Sequence, residues 1–169
     1  NTNRALRFQT GVPVPVPTMQ DHTITEKLIS SKVEFIAPAS CSLTLNDSNI
    51  QHTVLTPLLQ TSKNSWGKRN LEDSSLDKQN GDTEGPLTLA ALAEKSDGVG
   101  GSIFVLGSLS ALEMEGMLTE SAYANGDFIM NAFSYLTSKG DALNIRAKVI
   151  SAESLTMTES QVKYISIAL

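Results

Sequence analysis

One thiol and two imidazoles, Cys41, His22 and His52, are the residues best suited to nucleophile and base chemistry. A cysteine activated by a histidine attacks acyl carbons, the chemistry of Cys–His hydrolases and amidotransferases. Cys41 lies in Pro38-Ala-Ser-Cys-Ser-Leu43, which lacks the Gly-rich strand-to-helix elbow that exposes such nucleophiles. A buried, inert thiol is therefore the expected state of Cys41. His22 precedes Thr23, where a capping or turn role is expected, and His52 opens an extended stretch facing solvent. The sequence has no HxH, HExxH or carboxylate cluster, so neither a metal nor a cofactor is expected.

The remaining polar groups suggest binding more than bond-breaking. Glu72, Asp73, Asp77, Asp82 and Glu84 are interrupted by Lys78 and lack EF-hand spacing, as a solvated loop would. Asp97-Gly-Val-Gly-Gly101 precedes an apolar run, whereas a phosphate cradle needs glycines between a strand and a helix N-terminus. Ligands of open α/β sheets bind beyond the carboxyl ends of strands. On that rule Ser108, Ser110 and Asn125 are the candidate ligand-binding residues, because Gly107-Ser-Leu-Ser110 follows the apolar run Ile103-Phe-Val-Leu106.

The elements that position these residues read as follows. Val12–Pro17 alternates valine and proline, an extended stretch that cannot occupy a central strand. Thr23 and Glu26 fit a capping box for a helix near 23–30. Strands are expected at Val33–Ala37, Ser42–Leu45, His52–Thr56, Thr88–Ala93 and Ile103–Leu106, the last apolar enough for burial on both faces. Residues 60–85 form a long polar loop around Trp66, and 63–84 are expected to be mobile without a partner. Ile129, Phe133 and Leu136 mark one face of a helix capped by Asn125 and stopped at Lys139-Gly140. Thr158 with Gln161 starts a further helix over 159–169, apolar on more than one face and expected to lead to a membrane span. A strand followed by a helix at 103–136 is a βα unit, which argues for a layered Rossmann-like or flavodoxin-like α/β domain with a mostly parallel or mixed sheet.

The composition fits a single domain over residues 1–169. The formal charge of −5 and the absence of a basic patch speak against nucleic acid, and one cysteine excludes an internal disulfide. A start at Asn1 and an apolar run at the other end suggest a fragment of a longer, membrane-anchored protein.

Several blocks, in order, resemble the extracytoplasmic domain of the gliding-motility (GldG-type) auxiliary proteins of ABC transporters. They are Asp21-His-Thr-Ile-Thr25, Leu58-Leu-Gln-Thr-Ser62 with Trp66, Asp82-Thr-Glu-Gly-Pro86, Ile103–Gly107, Asn125–Leu136 and Leu155-Thr-Met-Thr158. The sequence departs from the family at Thr23, where proline is usual, and at Gly107-Ser-Leu-Ser110, where an acidic residue is frequent. The resemblance implies a noncatalytic domain on the extracytoplasmic side of the cell membrane, lacking its first βα units. It also implies partners: the transporter's membrane subunit, or a second copy in a homo-oligomer. An amidotransferase-like hydrolase using Cys41 and a small-ligand receptor domain are the alternatives.

Overall fold

A computed structural model describes residues 5–7, 13–46, 52–72, 75–96, 101–113 and 123–137. The expected helix over 159–169 lies outside them. Short strands β1 (Ala5–Arg7) and β2 (Pro13–Pro15) form an antiparallel ribbon, the extended role that Val12–Pro17 requires. The central sheet follows the order β3 (Thr18–Met19), β4 (Thr53–Gln60), β7 (Thr88–Lys95) and β8 (Ile103–Leu106). Between β4 and β7 a hairpin carries β5 (Trp66–Gly67) and β6 (Thr83–Glu84).

Every pairing between these strands is antiparallel. This corrects the expected Rossmann-like or flavodoxin-like sheet. Parallel neighbours need crossover connections of a dozen or more residues, usually helical. The long connection after β4 instead folds back on itself as the β5–β6 hairpin and returns β7 alongside β4. The only parallel contact among the described residues is an isolated bridge, Glu34 to Tyr123.

The centre of the sheet follows from β7, whose Thr88-Leu-Ala-Ala-Leu92 is buried throughout. In β4, Pro57 lacks an amide hydrogen, and the register to β7 shifts between Pro57 and Leu59. β8 differs from its expected double burial. Ile103 and Val105 are exposed, while Phe104 and Leu106 pack on the core. The apolar run reads as a buried strand, yet β8 lies at the edge of the sheet.

Helix α1 (Glu26–Ser30) starts at Thr25 rather than at Thr23. The Thr25 hydroxyl donates to the carbonyls of Gln20 and His22, which fixes the turn before the helix. Helix α2 (Ser110–Glu113) is a single turn, and α3 (Asn125–Leu136) covers the core face of the sheet. The buried face of α3 is Asn125, Phe128 and Ala132, with Ile129 and Leu136 partly covered. Phe133, expected inside, is 62% exposed, so the helix is rotated relative to the expected face. Phe128 meets Phe35 edge-on at 5.1 Å and Phe104 at 5.8 Å, an aromatic cluster joining the helix, the 33–37 segment and β8. Burying a side chain such as Phe35 or Phe128 stabilises by about 1.5–3 kcal/mol.

No helix among the described residues is long and apolar enough to cross a membrane, so the membrane-anchored reading finds no span there.

Candidate functional site

The three candidate ligand-binding residues lie close together in the fold but in different settings. Asn125 is fully buried. Its carbonyl oxygen accepts the Ile36 N–H at 3.0 Å, and its amide donates to Ile36 O at 2.9 Å and Ala111 O at 3.0 Å. The side chain thus behaves like a strand neighbour of Ile36. Ser108 is also buried; its hydroxyl donates to the Pro38 carbonyl and accepts the Ala111 N–H at 3.2 Å. Ser110 is half-buried and opens α2. Asn125 and Ser108 therefore tie the segment 36–38 to α2 and α3. Sequence reasoning found these polar residues by their place after a strand, but spacing alone does not show that they face backbone.

Gly107 joins the same region to Cys41. The Cys41 N–H donates to Gly107 O at 2.6 Å, Gly107 N–H to Leu89 O at 2.8 Å, and Leu43 N–H to Thr88 O at 2.7 Å. Segment 41–43 thereby takes over the flank of β7 where β8 leaves it. A Cβ at position 107 would lie 2.1 Å from the Cys41 carbonyl oxygen, so only glycine permits this approach. The Cys41 thiol is free and exposed, contrary to its expected burial.

Both histidines lie at the other end of β8. His52 is exposed, with φ at 57°, and its carbonyl accepts the Ser96 N–H. His22 is half-buried, and its Nδ1 accepts the Ile24 N–H at 3.1 Å. Its ring meets Tyr135 edge-on at 5.0 Å, and the Tyr135 hydroxyl donates to Glu94 Oε2 at 3.2 Å. The other Glu94 oxygen accepts the Ser102 hydroxyl at 3.2 Å. Desolvation lowers the His22 pKa from 6.5, against the opposing pull of Glu94 and Asp21. Burial and the Glu94 carboxylate raise that of Tyr135 above 10.0. Sequence reasoning missed this cluster, because Glu94 and Tyr135 carry no motif and meet His22 only through the fold.

A Cys–His pair is not assembled among the described residues. Cys41 is bonded at the Gly107 end of β8, whereas the histidines neighbour Glu94 and Ser96 at the Ile103 end. Four strand residues separate these ends by about 13 Å. No group of three His, Cys, Asp or Glu side chains among the described residues is placed to hold a metal ion. Two acidic residues of the hairpin, Asp82 and Glu84, are paired instead. Asp82 accepts the amides of Arg69 and Gln79 and faces Lys68 at 3.6 Å, and Glu84 bonds Lys78.

Within the expected polar loop the described residues form the β5–β6 hairpin. Trp66 pairs with Glu84 and is half-buried, and the Thr61 hydroxyl accepts the Leu87 N–H at 2.8 Å across its base.

The outer edge of β8 is the largest chemical opportunity. Gly107, opposite Leu89, donates toward β7, so alternation directs the amides of Val105 and Ile103 to β7 as well. The N–H and C=O of Phe104 then point outward, where no described strand pairs with them. On the sheet's outer face Ile103 and Val105 stand 63% and 44% exposed. Behind them, in register, lie Ala93 and Ala91 of β7, then Leu55 and Pro57 of β4. Residues 101–107, Gly-Ser-Ile-Phe-Val-Leu-Gly, contain neither charge nor proline.

Compared with known proteins, the chain matches no family model, no curated protein and no solved structure.

Proposed function

We propose that the chain is a noncatalytic interaction domain that docks a partner along the outer edge of β8. The carrying observation is the uncharged edge strand with Ile103 and Val105 exposed. Edge strands are ordinarily protected by lysine, proline, a bulge or a covering element, because unpaired amides and carbonyls recruit other strands. β8 has none of the sequence-borne protections. Extended peptides add to such edges through main-chain hydrogen bonds, while alternate side chains give specificity. Leu109, in the turn just beyond the strand, is 64% exposed as well.

The partner implied by the sequence resemblance is the membrane subunit of an ABC transporter. That identity rests on the sequence blocks, since the antiparallel sheet removes the support a shared Rossmann-like fold would give. The hydrolase alternative has less behind it, because neither histidine reaches Cys41 among the described residues.

A photo-reactive amino acid at Val105, with a control at Lys78 on the exposed hairpin, tests the docking reading in cells that make the protein. Discrete adducts are expected from position 105 and not from 78, and Ile103→Lys should abolish them. Equal labelling at both positions, or adducts indifferent to Ile103→Lys, would exclude β8 as the docking edge.

A further inference from the structure

The turn 21–25 is fastened by the acceptor nitrogen of His22. Because Nδ1 accepts the Ile24 N–H, the neutral ring carries its proton on Nε2. Ile24 is fully buried, and its carbonyl accepts the Asn131 amide of α3 at 3.0 Å. The same ring lies against Tyr135 of α3, which bonds Glu94 of β7, which bonds Ser102 immediately before β8. One imidazole therefore touches a chain of contacts running from the α1 turn to the start of the edge strand.

We infer that His22 is the trigger of a proton-operated clasp, whose opening on protonation at Nδ1 frees the Ile24 amide and loosens the hold of Glu94 on Ser102 at the start of β8. The proton comes from solvent. Once Nδ1 bears it, both ring nitrogens are donors and the Ile24 N–H has lost its acceptor. The imidazolium then attracts the two carboxylates that face it, Asp21 from its own turn and Glu94 from β7. Tyr135 is the other titratable group against the ring, from α3, and it stays protonated throughout this range. Recruiting Glu94 draws its oxygens from the hydroxyls of Tyr135 and Ser102. The clasp is independent of the docking reading; only its consequence for a partner at β8 rests on that reading.

The geometry supplies a discriminating variant. The bond from Ile24 N–H to the side chain two residues earlier is the bond an asparagine makes in an Asx-turn. His22→Asn keeps an acceptor there and cannot titrate. Amide exchange of the full chain, corrected for its intrinsic pH dependence, should show protection of Ile24 falling about tenfold as the pH is lowered from about 7.5 through the ring titration of His22, with Ile103, whose N–H points to β7, loosening in parallel. In His22→Asn the protection should persist at both pH values, and in His22→Ala it should be low at both. Glu94→Gln should shift the His22 ring titration, followed by NMR, to lower pH. If His22→Asn retains the wild-type pH response, the trigger lies elsewhere. If the His22 ring titrates while the Ile24 and Ile103 amides do not respond, there is no clasp. Partner adducts at Val105 are read separately, so loss of docking and failure of the clasp remain distinguishable.

Discussion

The Asn125 carboxamide pairs with both main-chain groups of Ile36, accepting its N–H at 3.0 Å and donating to its carbonyl at 2.9 Å. A side chain on the first turn of α3 thus substitutes for a neighbouring strand beside the 33–37 segment. Just before it, the Ala124 N–H donates to Glu34 O at 2.9 Å. Asn125→Ala leaves the Ile36 N–H and two carbonyls without their partners in a dry interior. A loss of about 2–4 kcal/mol is expected. Urea unfolding should show a lower midpoint with an unchanged slope. Asn125→Asp retains an acceptor for Ile36 but, when ionised, faces the carbonyls of Ile36 and Ala111 with no donor. Its destabilisation should lessen as the pH is lowered.

Gly107 and Cys41 separate backbone fit from thiol chemistry. Gly107→Ala forces a Cβ into the Cys41 carbonyl and should cost about 1–3 kcal/mol, like other overpacking. Cys41→Ala removes an exposed thiol and should alter stability by less than about 0.5 kcal/mol. Thermal unfolding compares the two. A hydrolytic activity lost in a folded Cys41→Ala protein would revive the hydrolase alternative.

The pH dependence of stability has two arms around one cluster. The folded pKa of His22 lies below its unfolded value of 6.5, so its contribution is complete above 6.5 and is lost as the pH falls toward the folded value. Tyr135 is shifted the other way: its contribution is complete below 10.0 and is lost as the pH rises through the raised folded value. His22→Asn should flatten the acid arm and Tyr135→Phe the alkaline arm in urea midpoints measured across pH.

The hairpin 61–87 should resist proteolysis more than its composition suggests. Thr61 bonds both the Ser65 hydroxyl and the Leu87 amide, closing the base. Thr61→Ala is expected to cost about 1 kcal/mol and to increase cleavage within the hairpin under limited proteolysis. Fluorescence of Trp66, the single tryptophan, should shift to the red in the variant as the indole becomes wetter.

What could be read from the sequence was local. Thr88–Ala93, Ile103–Leu106 and the helix from Asn125 to Leu136 are elements of the structure near the expected boundaries, because period and turn residues are short-range signals. Sheet topology was not legible. A strand followed by a helix resembles a βα unit whether or not its sheet is parallel, and only the pairing of β7 with both β4 and β8 distinguishes the two cases. The outward turn of Phe133 was hidden for a similar reason: Ile129, Phe133 and Leu136 share a helical face, but Phe128 and Ala132 define the buried one. Ser108, Ser110 and Asn125 were found by position, while the bonds of Ser108 and Asn125 to distant backbone depend on tertiary placement. His22 was seen as a turn residue, but its neighbours Glu94 and Tyr135 are far away in sequence.

Amide exchange at two adjacent residues of β8 tests the open edge most directly. The Val105 N–H points into the ladder with β7 and the Phe104 N–H points outward. In the isolated chain at low concentration, Val105 should be protected and Phe104 should exchange at least about a hundredfold faster, since a solvent-facing amide needs no opening of the sheet. Phe104 should gain protection only when a partner is bound. Equal protection of Phe104 and Val105 in the isolated chain would show that the edge is already occupied, and docking along β8 would be contradicted.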